Sequence, residues 1–253
     1  MNREELLKIA KPILFNTEMT QATLENRKTA TRRVCKDLEY HDFKCGLDKK
    51  PYIGDHKVFR KTAPRQWDWV TLKKQWLYDL QTAVDDSKTY LLKSPYKVGD
   101  ILYVRETWRP AKKGYFYKAD WEHDGIGDIG KWKPSIHMPK EAARLFLKVT
   151  DVRVERLQDI TEEQAEQEGI RGYSKDGKLY KYAVSLDWWD EYHRKYTSKI
   201  SGGTAWQDMP KNPWVAFMYL WDSTIEKQNL DKYGWEANPW VWVIEFERVE
   251  AQQ

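Results

Sequence analysis

Apolar and polar residues alternate most clearly in a few short stretches of this chain, and these stretches predict β-strands. Residues 101–108, 115–119, 145–157 and 240–249 are rich in β-branched and aromatic side chains, which favour strands. A short apolar run at residues 12–15 predicts one more strand. Short strands with long connections favour a mixed α+β fold around a small barrel over a doubly wound sheet.

Helical patterns flank these strands. They cover residues 1–10, 159–169 and 213–223. The middle pattern has both ends encoded, because Thr161 and Gln164 form a capping-box pair and Gly169 is a natural terminator. Thr17 predicts the start of a further short helix, which leads into a basic segment.

Two long stretches, at about residues 36–97 and 171–212, lack a sustained pattern, and we interpret them as insertions into a single domain of 253 residues. In the first we expect a loop at 44–65 and then one helix across residues 67–84. The second is expected to be mainly loop and short helix, with a tryptophan pair at residues 188–189.

Composition bounds the possible functions. Hydrophobic residues make up 41% of the chain, which is enough for a core. Lys and Arg (43) exceed Asp and Glu (39) by only four, so overall charge is weak evidence for a polyanionic partner. The 14 Trp, 15 Tyr and 7 Phe suit base stacking, although most of them should fill the core.

Several classes of protein are disfavoured. No apolar run approaches the roughly 18 residues of a membrane span, so no membrane partner is expected. Cys35 and Cys45, with His41 as the nearest soft ligand, do not form a zinc motif, and we expect no metal and no cofactor. Two thiols and no signal peptide favour a reducing, cytoplasmic location.

The most distinctive short segment is residues 26–33 (NRKTATRR). Its cations and hydroxyls are Arg27, Lys28, Thr29, Thr31, Arg32 and Arg33. Crowded like charges favour an anionic partner such as phosphate, and a solvated basic turn is the alternative. In an extended chain Thr29, Thr31 and Arg33 share one face. The segment is therefore a candidate site for an anion or a nucleotide.

Four ordered segments resemble the ASCH domain of the PUA-like superfamily. They are residues 26–32 (NRKTATR), 98–104 (VGDILYV), 165–168 (AEQE) and 243–246 (VIEF). Further matches resemble the ASCH-type proteins of bacteriophages and prophages, at 104–108 (VRETW), 134–139 (PSIHMP) and 238–242 (NPWVW). The chain departs from the family at Asn26, where the family usually has Gly, and Asn also tolerates a left-handed backbone.

The resemblance implies a PUA-like fold, a five- or six-stranded β-barrel with flanking helices and a cleft beside Lys28. It also implies RNA or modified nucleosides as ligands, in the cytoplasm of a bacterial host. One small ASCH enzyme hydrolyses N4-acetylcytidine with a lysine, a threonine and a glutamate. Matching the motifs position by position assigns those catalytic roles to Lys28, Thr31 and Glu168.

The implied chemistry is coherent. A threonine hydroxyl is a weak nucleophile until a base removes its proton. Crowding by cations and loss of water would lower the pKa of Lys28 and make it such a base, whereas a nearby carboxylate would raise that pKa. Glu168 could orient Lys28 or carry a proton to the leaving amine. The sequence leaves open which influence on Lys28 dominates.

Other pocket residues are predicted from the strand over 101–108 and from the motif at 134–139. Arg105 should line the pocket, and Glu106 and Trp108 would share a strand face, where the ring stacks on a base and the carboxylate holds its amine. Ser135 and His137 are expected as cleft-wall contacts, because they lack the acid and the oxyanion hole of a triad.

Three functions are consistent with this sequence. The leading one is binding of a nucleic acid or a modified nucleoside, either RNA or single-stranded DNA. The second is an amidohydrolase for N4-acylcytidine-type nucleosides, working in the same cleft. The third is a phage accessory protein without catalysis, which binds another protein through a patch of exposed tryptophans in the insertions. That patch would comprise Trp67, Trp69, Trp188 and Trp189.

Overall fold

The protein has a mixed α+β architecture. A computed structural model describes residues 1–35, 94–121, 131–197 and 202–250, and the backbone of the strands within residues 57–91. The helices are α1 (Arg3–Ile9), α2 (Thr17–Leu24), α3 (Glu162–Gln167), α4 (Leu186–Tyr192), α5 (Ala205–Asp208), α6 (Pro213–Thr224) and α7 (Leu230–Tyr233). The strands are β1 (Lys11–Leu14), β2 (Ala30–Val34), β3 (Lys57–Thr62), β4 (Gln66–Thr71), β5 (Leu77–Gln81), β6 (Ser87–Leu91), β7 (Ile101–Arg105), β8 (Trp108–Pro110), β9 (Tyr115–Tyr117), β10 (Phe146–Arg156), β11 (Arg171–Ser174), β12 (Tyr180–Ala183) and β13 (Trp240–Val249).

The central sheet has five strands in the order β1-β7-β10-β13-β2. β1 runs parallel to β7, and the other neighbours are antiparallel. In the part of the chain that the structure describes, no backbone pairing joins the edge strands β1 and β2, so the expected closed barrel is not formed. The edges still meet at one end, where the Arg33 guanidinium donates to the Leu14 carbonyl at 2.7 Å. Closure needs a backbone ladder, and here a side chain makes the link.

Both faces of this sheet are covered. One face carries a core that includes Phe15, Trp242 and Ile244, and the other packs against α3 and α6 through Val241 and Val243. Alternation along β13 sends successive side chains to opposite cores, which explains why this strand is apolar on both sides. No helix in the described ranges is long and apolar enough to cross a bilayer.

Several predicted elements are confirmed. β13 has the predicted bounds, and α1, β10 and α6 agree with their predictions to within two residues at each end. The capping box also forms, since the Gln164 amide donates to the Thr161 hydroxyl at 3.2 Å and the Thr161 amide donates to the Gln164 side chain at 3.0 Å. These elements depend on local signals, which the sequence contains in full.

Other predictions are wrong. The helix expected over residues 67–84 is replaced by β4 and β5, and β3 lies within the loop expected at 44–65. Trp67 and Trp69 alternate around Asp68, so the same residues fit a strand period. The second insertion contains the β11–β12 hairpin in addition to short helices. Residues 36–56 of the first insertion lie outside the described residues.

The strand predicted over 101–108 is also interrupted. β7 ends at Arg105, and β8 begins at Trp108 in a separate hairpin with β9. Glu106 and Trp108 therefore do not share a strand face. Ser135–His137, expected as a cleft-wall segment, forms one turn of 3₁₀ helix. Alternation of residue types cannot locate a point where a strand leaves its sheet.

Candidate functional site

The turn between α2 and β2 positions Lys28. α2 ends at Leu24, and Asn26 takes a left-handed backbone with φ of 57°, which asparagine tolerates better than most residues. The amides of Arg27 and Lys28 both donate to the Ala22 carbonyl, at 2.8 and 3.0 Å. The carbonyl groups at the end of α2 are thus satisfied as the chain turns into β2.

The end of α3 docks on this turn. Gly169 follows the helix with φ of 104°, and a Cβ atom there would lie 2.8 Å from the Cβ of Ala22. The Thr29 amide donates to the Gln167 carbonyl at 2.9 Å, and the Arg27 side chain donates to the Gly169 carbonyl. Glu168, the last position before this glycine, is held against the start of β2 as a result.

Lys28 and Glu168 form a buried ion pair. The Lys28 Nζ lies 2.6 Å from Glu168 Oε2, and the two side chains are 0% and 3% exposed. The same amine donates to the carbonyls of Ala30 at 2.8 Å and Glu168 at 3.1 Å, so each of its three protons has an acceptor. The lysine is therefore fixed in position as well as buried.

Burial lowers the pKa of Lys28 below its ordinary value. The Glu168 carboxylate opposes this shift, while the charges of Arg33 and Arg32 add to it. Loss of hydration outweighs the single carboxylate, which already shares its charge with a second cation. The question that the sequence left open is thus decided in favour of a lysine that loses its proton more easily.

Arg32 extends the ion pair into a network. Its guanidinium donates to Glu168 Oε1 at 3.2 Å and to Gln164 Oε1 at 3.0 Å, and lies 3.5 Å from Glu155 Oε2. Glu155 in turn accepts from Arg153 at 2.9 Å. The Arg32 side chain has no exposed surface, and its two terminal nitrogens are bonded inside the protein, whereas Nε has no partner among the described residues. It does not present a guanidinium to a phosphate at the surface.

Thr31 is buried without a hydrogen bond to its hydroxyl. The residue is 1% exposed, and Thr31 Oγ1 has no partner among the described residues. In the β2–β13 ladder it is opposite Ile244, so its side chain lies on the sheet face that also carries Phe15. The Lys28 Nζ is 5.5 Å from the centre of the Phe15 ring. The hydroxyl and the amine therefore lie toward the same core but are not bonded to each other.

Thr29 has a different position. It precedes β2 and is exposed, and its backbone carbonyl accepts from the Phe246 amide at 2.8 Å. Thr29 and Thr31 are therefore in different environments, although the two were expected on one face.

Phe15 connects Lys28 to two other predicted residues. Its amide donates to the Arg105 carbonyl at 3.0 Å, and its ring lies 6.0 Å from the Arg33 guanidinium. The Arg105 side chain donates to the carbonyls of Met138, at 3.1 Å, and Ile136. Arg105 thereby holds the turn at Ser135–His137, where Ser135 is half-buried and His137 is exposed.

Glu106 and Trp108 do not form the expected base-binding pair. The Arg144 guanidinium grips Glu106 through two hydrogen bonds of 2.8 and 2.9 Å. Burial raises the pKa of Glu106, and Arg144 opposes the rise. Trp108 is buried in a cluster with Leu6 and Met138. The Glu106 carboxylate is already bonded to Arg144, and the Trp108 ring is covered by other side chains. Both residues therefore stabilise the fold and do not face a ligand.

No protein-family model, curated protein or solved structure matches this chain. Roles for Lys28, Thr31 and Glu168 therefore rest on their contacts, burial and charge. Within the described residues, no group of three or more His, Cys, Asp or Glu side chains could hold a metal ion.

Two of the four tryptophans that a protein-binding patch would need, Trp188 and Trp189, lie among the described residues. Trp189 is buried beneath Tyr192 and Tyr219, at ring distances of 5.8 and 5.4 Å, and Trp188 is half-buried. Trp189 therefore does not provide the exposed ring that would support a protein-binding patch, because it fills a satellite core. The side chains of Trp67 and Trp69 lie outside the described residues.

Sequence reasoning missed two members of the ion network. Gln164 was identified only as a helix cap, although it lies four residues before Glu168 and so faces the same way. That spacing was a usable signal. Glu155 carried none, because its contact with Arg32 depends on how β10 and β2 flank β13.

Proposed function

We propose that this protein is an ASCH-type domain of the PUA-like superfamily that recognises a modified nucleoside at Lys28, Thr31 and Glu168. The order of the matching segments supports the family, and a five-stranded sheet packed against short helices is compatible with it. The observation that carries the proposal is the unpartnered hydroxyl of Thr31. A buried hydroxyl without a partner costs about 1–3 kcal/mol, which a ligand's polar group would offset.

A neutral heterocycle suits this site better than a phosphate. Arg32 already donates to Glu168 and Gln164, and Arg27 donates to the Gly169 carbonyl. These cations have acceptors of their own and would lose them on binding an anion. A nucleobase offers hydrogen-bonding edges to Thr31 and a flat face to an apolar wall such as Phe15.

Ligand entry requires movement of the residues that cover Lys28 and Thr31, since both are no more than 2% exposed. The competing explanation is that the ion network only ties α3 to β2. The two explanations differ at Thr31, which is not part of the network. A purely structural role predicts that its hydroxyl is dispensable for every ligand.

Isothermal titration with N4-acetylcytidine and with cytidine tests the proposal. The wild type should bind the acetylated nucleoside, and Thr31→Val should weaken binding by at least about tenfold, which is 1.4 kcal/mol. Thr20→Val is the matched control, because Thr20 is equally buried and its hydroxyl bonds within α2 to the Asn16 carbonyl. Absence of wild-type binding, or equal binding by Thr31→Val, rejects the proposal.

The same residues support a second candidate, hydrolysis of an N4-acyl group. The specific observation in its favour is the lowered pKa of Lys28. Neutral Lys28 would take the Thr31 proton while the hydroxyl oxygen attacks the acyl carbon. The carbon–nitrogen bond then breaks, and the amine leaves with the proton, which Glu168 can relay from Lys28. Water cleaves the acyl-threonine, releasing acetate and restoring the hydroxyl.

Chromatography separates this candidate from binding alone. N4-acetylcytidine should be converted to cytidine and acetate by the wild type and by Thr20→Val. Lys28→Ala and Thr31→Val should each abolish conversion. Tight binding without turnover at high enzyme concentration would reject the hydrolase and leave the binding proposal intact.

A further inference from the structure

A cluster of one arginine and three aromatic rings lies outside the site described above. Phe116, Trp121 and Trp132 surround the Arg109 guanidinium, whose central carbon is 4.5, 5.8 and 5.5 Å from the respective ring centres. The rings also meet edge to face, with Phe116–Trp121 centres 6.4 Å apart and Trp121–Trp132 centres 6.0 Å apart. These four residues are the Arg109 cluster.

The chain builds this cluster from two segments. Arg109 and Phe116 are opposite each other in the β8–β9 hairpin, so the cation and the ring are cross-strand neighbours. Trp108 and Lys133 exchange backbone hydrogen bonds of 3.2 and 2.8 Å, which brings the neighbouring Trp132 into place. The arginine is thus part of a defined arrangement rather than a free surface charge.

Two features of the cluster point to a ligand. Phe116 is 42% exposed, and the two tryptophans are half-buried, so part of each residue is accessible to solvent. Arg109 Nε is buried and has no hydrogen-bond partner among the described residues. Arginine stacked on aromatic rings contributes cation–π attraction at surfaces that bind single-stranded nucleic acids.

The charge around the cluster complements a polyanion. Exposed lysines occur at positions 112, 113, 118, 131 and 133. In the described residues 109–121 and 131–133, the one acid is Asp120, which is paired with Arg144 at 2.5 Å. Over the whole stretch from Arg109 to Lys133, cations outnumber acids six to four. Aromatic rings interleaved with lysines are typical of proteins that bind single-stranded nucleic acids.

The cluster is connected to the Lys28 site through the fold. The chain runs from Trp132 to the turn at Ser135–His137, which Arg105 holds through the carbonyls of Ile136 and Met138. The Arg105 carbonyl accepts from the Phe15 amide, and the Phe15 ring lies beside Lys28. The two sites are therefore linked through the backbone of residues 132–137, the Arg105 side chain and Phe15.

We propose that the Arg109 cluster is a stacking surface for nucleotides that flank the one recognised at Lys28 and Thr31, so that the ligand is a single-stranded nucleic acid and not a free nucleoside. The stacking surface stands on its own contacts, and its link to the recognised nucleotide rests on the proposed function. Bases stack on Phe116 and the tryptophans, Arg109 stabilises the rings from behind, and the lysines at 112 and 113 contact phosphates. Paired bases cannot stack in this way, which selects single strands.

Fluorescence anisotropy with labelled single strands of about 12 nucleotides tests this surface, a length within the usual range of such sites. Oligo-uridine RNA and oligo-thymidine DNA are measured separately, beside a duplex of the same length. Phe116→Ala should weaken binding of single strands at least about fivefold, the factor given by 1 kcal/mol of lost stacking. Lys112→Glu with Lys113→Glu should weaken binding and reduce its salt dependence.

Exposed residues outside the Arg109 cluster supply matched controls. Tyr180→Ala removes another exposed ring, and Lys178→Glu with Lys227→Glu makes the same change of charge at exposed positions elsewhere. These variants should bind as the wild type does. The proposal is overturned if Phe116→Ala binds normally, if the controls lose as much affinity, or if the duplex binds equally well. A surface made for a protein partner would give the first of these results.

Failure of the stacking surface can be distinguished from failure of the proposed nucleoside site. Phe116→Ala should keep the affinity of the wild type for N4-acetylcytidine, whereas Thr31→Val should lose it. If Phe116→Ala lacks oligonucleotide binding but no variant or wild type binds the nucleoside, the nucleoside site is wrong and the stacking surface stands. The reverse pattern removes the surface and leaves the nucleoside site.

Discussion

The Lys28 amine and the Glu168 carboxylate lie 2.6 Å apart although the residues are separated by 140 positions in the chain. Both side chains are buried, and Arg32 donates to the second carboxylate oxygen. A buried ion pair adds little net stability relative to an apolar replacement, because loss of hydration offsets the attraction. Removing one member is different, since it leaves a charge without a partner.

Glu168→Gln should therefore destabilise the protein strongly. Lys28 and Arg32 would lose their shared carboxylate, and we expect a loss of about 3–5 kcal/mol in the free energy of unfolding. Glu247→Gln is the control, because Glu247 pairs with Lys148 at 3.2 Å with both side chains at least half exposed, and should cost less than about 1 kcal/mol. Urea unfolding measures both. Equal urea midpoints for the two variants would show that the buried ion network does not stabilise the fold more than the exposed pair does.

Thr31→Val should not destabilise the protein. Valine has nearly the same shape and removes a buried hydroxyl that has no partner, so the free energy of unfolding should stay the same or rise by about 1 kcal/mol. Thr23→Val should instead lower it by about 1 kcal/mol, since the Thr23 hydroxyl donates to the Met19 carbonyl at 2.8 Å. Thermal or urea unfolding decides. A loss of stability in Thr31→Val matching that of Thr23→Val would mean that the hydroxyl is bonded in solution.

Stability should rise with pH in the range where Lys28 titrates. Its pKa in the folded protein lies below the ordinary 10.5, so between the two values the unfolded chain binds more protons than the folded protein. The free energy of unfolding contributed by Lys28 therefore increases as pH rises through that window and is constant below it. Lys28→Met should remove this increase, and Lys148→Met, at an exposed site, should keep it. Parallel pH profiles for wild type and Lys28→Met would contradict the lowered pKa.

Gly169→Ala should separate two effects of a side chain at a left-handed position. Gly169 and Gly177 have φ of 104° and 71°, so alanine is strained at both. Only at Gly169 would the new Cβ collide with another residue, the Cβ of Ala22 at 2.8 Å, whereas nothing lies within 4 Å at Gly177. We expect Gly169→Ala to cost at least about 1 kcal/mol more than Gly177→Ala in chemical denaturation. Equal losses would mean that α3 moves away from α2 without penalty.

Local signals explain which elements the sequence predicts well. β13 alternates between two apolar cores along its whole length, and α3 carries a capping box at Thr161. The helix prediction over residues 67–84 is wrong because the tryptophans and leucines there fit both a helical and a strand period. The prediction of a closed barrel is wrong for a different reason. Which strand pairs with an edge strand depends on the assembled sheet and leaves no local signal in the sequence.

The sequence likewise predicts some features of the candidate site and not others. The resemblance to the ASCH domain predicts Lys28, Thr31 and Glu168 as members of one site. Of these three, Lys28 and Glu168 are in contact. No sequence pattern could show that Arg32 points inward to Glu168, or that Arg144 occupies Glu106. Those contacts depend on the packing of distant elements. The balance of influences on the pKa of Lys28 likewise depends on burial, which only the fold determines.

A crystal structure of the protein with N4-acetylcytidine would show whether the modified base reaches Thr31 and Lys28. We expect the modified base in the core between Phe15 and Lys28, within hydrogen-bond distance of the Thr31 hydroxyl, with Glu168 still paired to Lys28. A structure in which the nucleoside occupies only the Arg109 cluster, and the Thr31 hydroxyl stays buried without a partner, would contradict it.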